Sequence, residues 1–174
     1  MSQNPKVGIV MGSDSDYEIM AEAAKALKEF DVPFEMIVAS AHRSPERAGN
    51  WSRTARERGL ACLIAGAGAA AHLAGVLAAE TTLPVIAVPI DATALNGMDA
   101  LLAMVQMPAG IPVATMAVGK AGARNAGLLA VQMLSISDAE IAARLDAFKT
   151  KMAQGVEEKS ERLQQRMQQD GLCN

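Results

Sequence analysis

Histidine occurs twice in 174 residues and cysteine twice. Neither supply suits a metal centre, because no His/Cys/Asp/Glu group has ligand spacing, and Asp16 with His42 is no ligand set without further carboxylates. Cys62 sits in an apolar run and Cys173 in the tail, so no disulfide framework is expected. Aromatic residues are 3% of the chain, which leaves few platforms for stacking bases or a flavin. Basic charge is not in excess either. With 16 Lys+Arg against 19 Asp+Glu the net charge is −3, and no footprint for nucleic acid is present. No apolar stretch reaches the roughly 18 residues of a membrane span, and no charged-then-apolar leader opens the chain. A cytoplasmic protein without a membrane partner is expected. Walker loops, G-x-S-x-G elbows and metal-spaced clusters are all missing, so nucleotide hydrolysis and nucleophilic hydrolysis are disfavoured.

What is present is a 51% hydrophobic chain whose length suits one α/β domain. Short apolar runs recur at 6–11, 34–40, 61–66, 84–89 and 112–118. Four are apolar throughout, as expected of parallel strands covered on both faces. Amphipathic stretches at 17–30, 45–58, 71–80, 98–106 and 122–134 predict the intervening helices. Ser15-Asp16-Tyr17-Glu18 has the form of a capping box, and Ser44 before Pro45 that of a helix start. The expected core, 6–136, is a three-layer α/β sandwich around a five-stranded parallel sheet. Ser137-x-x-Glu140 opens a last helical segment, 137–170. Ile141, Leu145, Phe148, Met152, Val156, Leu163 and Met167 share one of its faces, with Gly155 as a point where it bends or ends. Its length exceeds what one small sheet needs, so its distal part is expected to lie on a neighbouring subunit as an arm, a frayed solvated tail being the other reading.

In open parallel sheets ligands bind beyond the carboxyl ends of the strands, so the strand-to-helix loops belong together. The first is Gly12-Ser13-Asp14-Ser15-Asp16, where glycine, hydroxyls and free N–H groups favour an anion and Asp16 can accept from sugar hydroxyls. An ordinary capping turn is the other reading. The second, Ser40-Ala41-His42-Arg43-Ser44, sets a guanidinium suited to bidentate phosphate contact beside an imidazole that exchanges protons near neutral pH. The third, Gly66-Ala67-Gly68-Ala69-Ala70-Ala71-His72, lets backbone approach a ligand. Taken singly, the second loop reads first as a solvated arginine beside an idle imidazole, and a structural histidine is at least as good a reading of the third. Together, both histidines and the best phosphate-binding residues fall on one predicted edge. The combined reading is a phosphorylated small molecule handled by proton transfer.

The segments VMGSDSD, SAHRSPER, AGAGAAAHLAG and NGMDALLAMVQMPAGIPVATMAVGKAGARNAGLLA, in order over residues 6 to 147, resemble the PurE family of purine biosynthesis. The arginine of SAHR and the AAHL block point to its class I branch. The resemblance implies a flavodoxin-like αβα sandwich with a long C-terminal helix, assembled as a homo-octamer with sites between subunits. It implies an N5-carboxyaminoimidazole ribonucleotide mutase acting on a phosphoribosyl aminoimidazole without cofactor or metal. Carried over by position, His42 is the acid–base residue, and His72 lines the base and carboxylate pocket with Gly68 as a second catalytic histidine. Asp16 holds the ribose, Ser13 joins it in substrate binding, and Ser40 and Arg43 contact phosphate. Gly12, Ala41 and Leu73 complete the substrate-binding set. QMPAGIPV resembles a stretch near the site that a different subunit can supply. Ala69 and Ala74 stand where the family loop usually has Gly and Pro, and Asp91-Ala92 replaces a more usual small polar pair. The competing readings are a CO2-using carboxylase of the same family, a noncatalytic flavodoxin-like module for FMN or another nucleotide, and a receiver domain. The receiver is disfavoured: Lys120 is suitably placed, but Met11 ends the first strand and no acceptor aspartate ends the third.

Overall fold

The computed structural model describes residues 4–172, so Cys173 lies outside the described residues. Within them the chain forms two compact units, one up to Leu134 and one from Ser135. The first holds five parallel strands, β1 (Val7–Met11), β2 (Phe34–Val38), β3 (Cys62–Gly68), β4 (Val85–Ile90) and β5 (Ala114–Thr115), in the order β2-β1-β3-β4-β5. Helices α1 (Tyr17–Glu29), α2 (Pro45–Arg53), α3 (Leu73–Glu80), α4 (Met98–Val105) and α5 (Lys120–Ser135) connect or follow them. This is the flavodoxin-like order, in which the chain reverses direction across the sheet between β1 and β3.

β1, β3 and β4 are buried almost throughout, which is why their sequences run apolar instead of alternating. Alternate residues serve opposite layers. A Cβ on Gly8 would lie 2.7 Å from the Trp51 ring of α2, so glycine there admits the indole. Gly66, opposite Met11 in register, faces the other way and would collide with Met20 of α1. On the α1 side, α5 lays Gly127 against Ala23 and Ala26. On the Trp51 side, α2, α3 and α4 share one apolar cluster with Val10, Leu63, Ala65 and Ala87. Burial pushes the Cys62 thiol up to about 12, which leaves it inert at neutral pH.

The element expectations hold with shifted ends. β5 is two residues instead of seven, and α2 gives way to turns after Arg53 instead of continuing to 58. The capping box at Ser15–Glu18 is not made. Ser13, in extended backbone, is the residue whose side chain accepts from Ser15 N, starting a single 3-10 turn at Asp14–Asp16 that runs into α1. Ser15 is already helical and has no cap to offer. The second unit holds α6 (Ala139–Gln169), about 46 Å of helix that does not end at Gly155. Its cap is Asp138, which accepts from the backbone of Glu140 and Ile141, not Ser137. No residue of α6 is buried, and Met152, Val156 and Leu163 are exposed. No helix among the described residues is long and apolar enough to cross a membrane.

Candidate active site

The strands end level with one another. Met11 pairs with Val38 on one side and Gly66 on the other, and Gly68 pairs with Ile90. The loops that follow must therefore crowd together where the topology reverses. Gly12 N donates to Gly66 O and Ala39 N to Met11 O, which ties the first loop to the third strand and the second loop to the first.

A cleft of about 180 Å3 opens between them. Its walls are Gly12, Ser13 and Asp16 from the first loop and Ser40, Ala41 and His42 from the second. Ala67, Gly68, Ala69, Ala70 and Leu73 form the third side, and Ala92, after β4, closes the fourth. Glycine at 68 is required by this closure, since a Cβ there would lie 2.5 Å from that of Ala92. Ala67, Ala69, Ala70 and Ala92 were not among the expected binding residues. The rule that identified the first three loops, reading beyond each strand's carboxyl end, applies equally to Ala92 after β4.

The second loop braces itself. Ser44 precedes helix α2 as expected, yet its hydroxyl does not cap the helix. It accepts from Ser40 N at 2.9 Å and donates to Ser40 O at 3.2 Å, while Ser40 Oγ accepts from Arg43 N at 3.2 Å. Three residues between two serines are thereby held in one turn, and His42 is at its crest. Arg43 is not in the cleft lining. Its guanidinium donates to Gly12 O at 3.1 Å, bridging the first two loops and leaving further N–H donors of its fork uncommitted. Asp16 lies within reach of its charge. Its carboxyl is held above the usual carboxylate range chiefly by burial, opposed by the Ser15 hydroxyl, the Ser13 backbone and the nearby Arg43 charge.

The two histidines, thirty residues apart, are in direct contact. His42 Nε2 and His72 Nδ1 are 2.9 Å apart, with the rings nearly perpendicular at 81°. Two ring nitrogens at this distance share a single proton, so one donates and the other accepts. His72 is outside the cleft lining; it touches His42 and starts α3, where its carbonyl accepts from Val76 N. Among the described residues no three His, Cys, Asp or Glu side chains come together as a metal site.

The third loop bends through Ala69 at φ 52°, the left-handed region that an alanine occupies at a cost of roughly 1–2 kcal/mol. The position thus demands what glycine supplies freely, and this chain carries strain in the wall of its cleft. Ala69→Gly is expected to raise the melting temperature by up to a few degrees, because relief of strain outweighs the added chain entropy. A lower melting temperature in a thermal scan would show that the strain is not there. Segment 106–113 does not line the cleft within one chain; Gly110, Ile111 and Pro112 border a separate groove with Ala78 and Thr81.

Comparisons with known proteins fit this geometry. The family model described as AIR carboxylase matches residues 6–155. The chain is 56% identical, over 91% of its length and 98% of the relative's, to a Bacillus subtilis protein named N5-carboxyaminoimidazole ribonucleotide mutase. A protein of the same name from Pyrococcus abyssi is 60% identical, over 85% of this chain and 84% of that one. Among solved structures, that of Treponema denticola PurE superposes with a TM-score of 0.82 at 28% identity, covering 91% of this chain and 98% of the other. With a family model matching residues 6–155 and relatives more than half identical over most of both chains, this chain belongs to the AIR carboxylase family.

Proposed function

We propose that this protein is an N5-carboxyaminoimidazole ribonucleotide mutase. It moves a carboxylate from the exocyclic nitrogen of the aminoimidazole to the adjacent ring carbon, a step of purine biosynthesis. The observation that carries this reading is the single imidazole exposed at the mouth of a cleft otherwise walled by small residues. His42 is the only imidazole in that lining, the side-chain type suited to giving and taking a proton near neutral pH. Relatives bearing the mutase name at 49–60% identity favour it over the CO2-using branch.

Protonated His42 gives its proton to the exocyclic nitrogen as the N–C bond of the carbamate breaks and CO2 departs. The enamine-like ring carbon attacks the CO2, forming the new C–C bond. Neutral His42 then takes the hydrogen from that carbon, and the ring regains aromaticity. One proton leaves and returns, so no second strong acid, ATP or biotin is consumed. CO2 must stay captive between the two steps, which a narrow cleft of glycine and alanine walls suits. Asp16 accepts from the ribose hydroxyls, Ser13 and the Gly12 backbone flank it, and Ser40 and Arg43 take the phosphate. Ala41, Gly68 and Leu73 shape the wall around the base.

Supplying the carbamate nucleotide without ATP, metal or added bicarbonate should yield the carboxylated product. Product appearing only from aminoimidazole ribonucleotide with bicarbonate would identify the carboxylase instead. Arg43→Ala should weaken nucleotide binding by roughly 1.5–3 kcal/mol, about 10- to 150-fold in Kd, through loss of a charge-assisted contact. An unchanged titration would remove Arg43 from the phosphate site.

The working form is a cytoplasmic homo-octamer in which each chain, 1–174, is a single domain with an α/β core over 6–136 and a helical arm over 137–170. Two uncovered apolar stripes support this reading: Met152, Val156 and Leu163 on α6, and Met98, Leu102 and Val105 on α4. Segment 106–113 then completes a neighbour's site.

A further inference from the structure

The proposed mechanism asks one imidazole to act first as acid and then as base without saying which nitrogen does either. We infer that His72 is the positioning residue that answers this: it accepts the Nε2 proton of His42 throughout, leaving Nδ1 of His42 to give and take back the travelling proton. The inference rests on the mutase reading and specifies its reacting atom.

It follows from the placement of the two rings. His42 lines the cleft, and His72 does not. Among the described residues their only side-chain hydrogen bond is to each other, Nε2 to Nδ1. Among the described residues no carboxylate bonds to either ring, so the role that an aspartate plays in orienting a catalytic histidine falls to a second imidazole. His72 is fixed for this task by its backbone, whose N–H donates to Ala70 O and whose carbonyl begins α3, while the serine-braced turn fixes His42.

The proton balance selects the direction of the bond. As an acid His42 carries protons on both nitrogens, so its Nε2–H must donate, and His72 Nδ1 must be the bare acceptor with its own proton on Nε2. After Nδ1 of His42 yields its proton to the substrate nitrogen, the Nε2–H bond is unbroken and Nδ1 has a lone pair. That lone pair removes the ring-carbon hydrogen. No ring flip or tautomer exchange intervenes between loss and return. The opposite arrangement, with His72 donating, would leave His42 unable to carry its second proton without breaking the contact.

A chain with two histidines has four imidazole nitrogens, so nitrogen NMR of 15N-histidine-labelled protein resolves them all. The expected spectrum at alkaline pH shows His42 protonated at Nε2 and His72 bare at Nδ1. In His72→Phe the His42 signals should move toward a mixture of tautomers, with kcat falling roughly 10- to 100-fold and KM changing little, a loss of the size seen when a metal-ligating histidine loses its outer hydrogen-bond partner. His72→Asn, whose amide oxygen can accept near the Nδ1 position, should recover most of the turnover. Wild-type protein with His42 bare at Nε2, or His72→Phe with undiminished kcat beside an inactive His42→Asn, would overturn the inference. A fully active His42→Asn would instead overturn the mutase mechanism, while the nitrogen spectrum would still decide which ring donates.

Discussion

Replacing His42 with asparagine should lower kcat by roughly 10²–10⁴-fold, the span attributed to general acid–base help, while leaving nucleotide binding nearly intact. Asparagine keeps a polar group at the crest of the second loop but cannot exchange a proton. The loop itself should survive the change. Its bonds run between Ser40, Ser44 and the Arg43 backbone, none of which involves the imidazole. Calorimetric titration with the nucleotide should therefore give a Kd within a few fold of wild type, and initial rates should give the collapse in kcat. A correctly folded variant that turned over at near-normal rate would remove His42 from the chemistry. A variant that lost binding and turnover together would make it a binding residue and leave the acid unassigned.

That residue was legible without coordinates because the physics of open sheets puts ligands at one rim. Reading the loops after the first three strands together places both histidines, Asp16 and Arg43 there. The sheet itself was equally readable: continuous apolar runs can only be buried on both faces, and helical periodicity between them fixes the alternation. What the pattern did not carry was local hydrogen bonding. Ser44 has every mark of an N-cap, yet its hydroxyl turns back to Ser40, because a five-residue turn leaves the Ser40 backbone as the nearer partner. Ser15 has the capping-box spacing, but Ser13, two residues earlier, is the one in extended backbone. The contact between His42 and His72 depends on where two loops converge in space, and a separation of thirty residues carries no sign of it. Ala69 is the reverse case. Its departure from glycine was visible in the sequence, and the positive φ found there gives that departure a cost.

The largest stability effect is expected well away from the cleft, at the chain's single tryptophan. Trp51 is 8% exposed and lies over Gly8 of β1, where any side chain would strike its ring. Its Nε1 donates to Glu35 Oε1 at 2.6 Å, the same oxygen that receives Arg58 at 2.9 Å, and the Arg58 guanidinium stands 5.6 Å from the ring centroid. One side chain thus joins α2, the interior strand β1, the edge strand β2 and the turn after α2. Trp51→Ala should cost about 3–5 kcal/mol through the cavity and the lost contacts. For a chain of this size that is a fall of roughly 6–20 °C in melting temperature, read by circular dichroism. Trp51→Phe, which keeps much of the volume but not the indole N–H, should lose about 1 kcal/mol, the net worth of one hydrogen bond, plus the smaller volume change. The consequence extends to catalysis, because α2 begins at the residue after the Ser40–Ser44 turn. With its anchor gone, α2 should let that turn drift, and turnover should fall at temperatures where the protein is still folded. An alanine variant with wild-type melting temperature would mean that α2 is held by other contacts and that the bare face of Gly8 has no part in seating it.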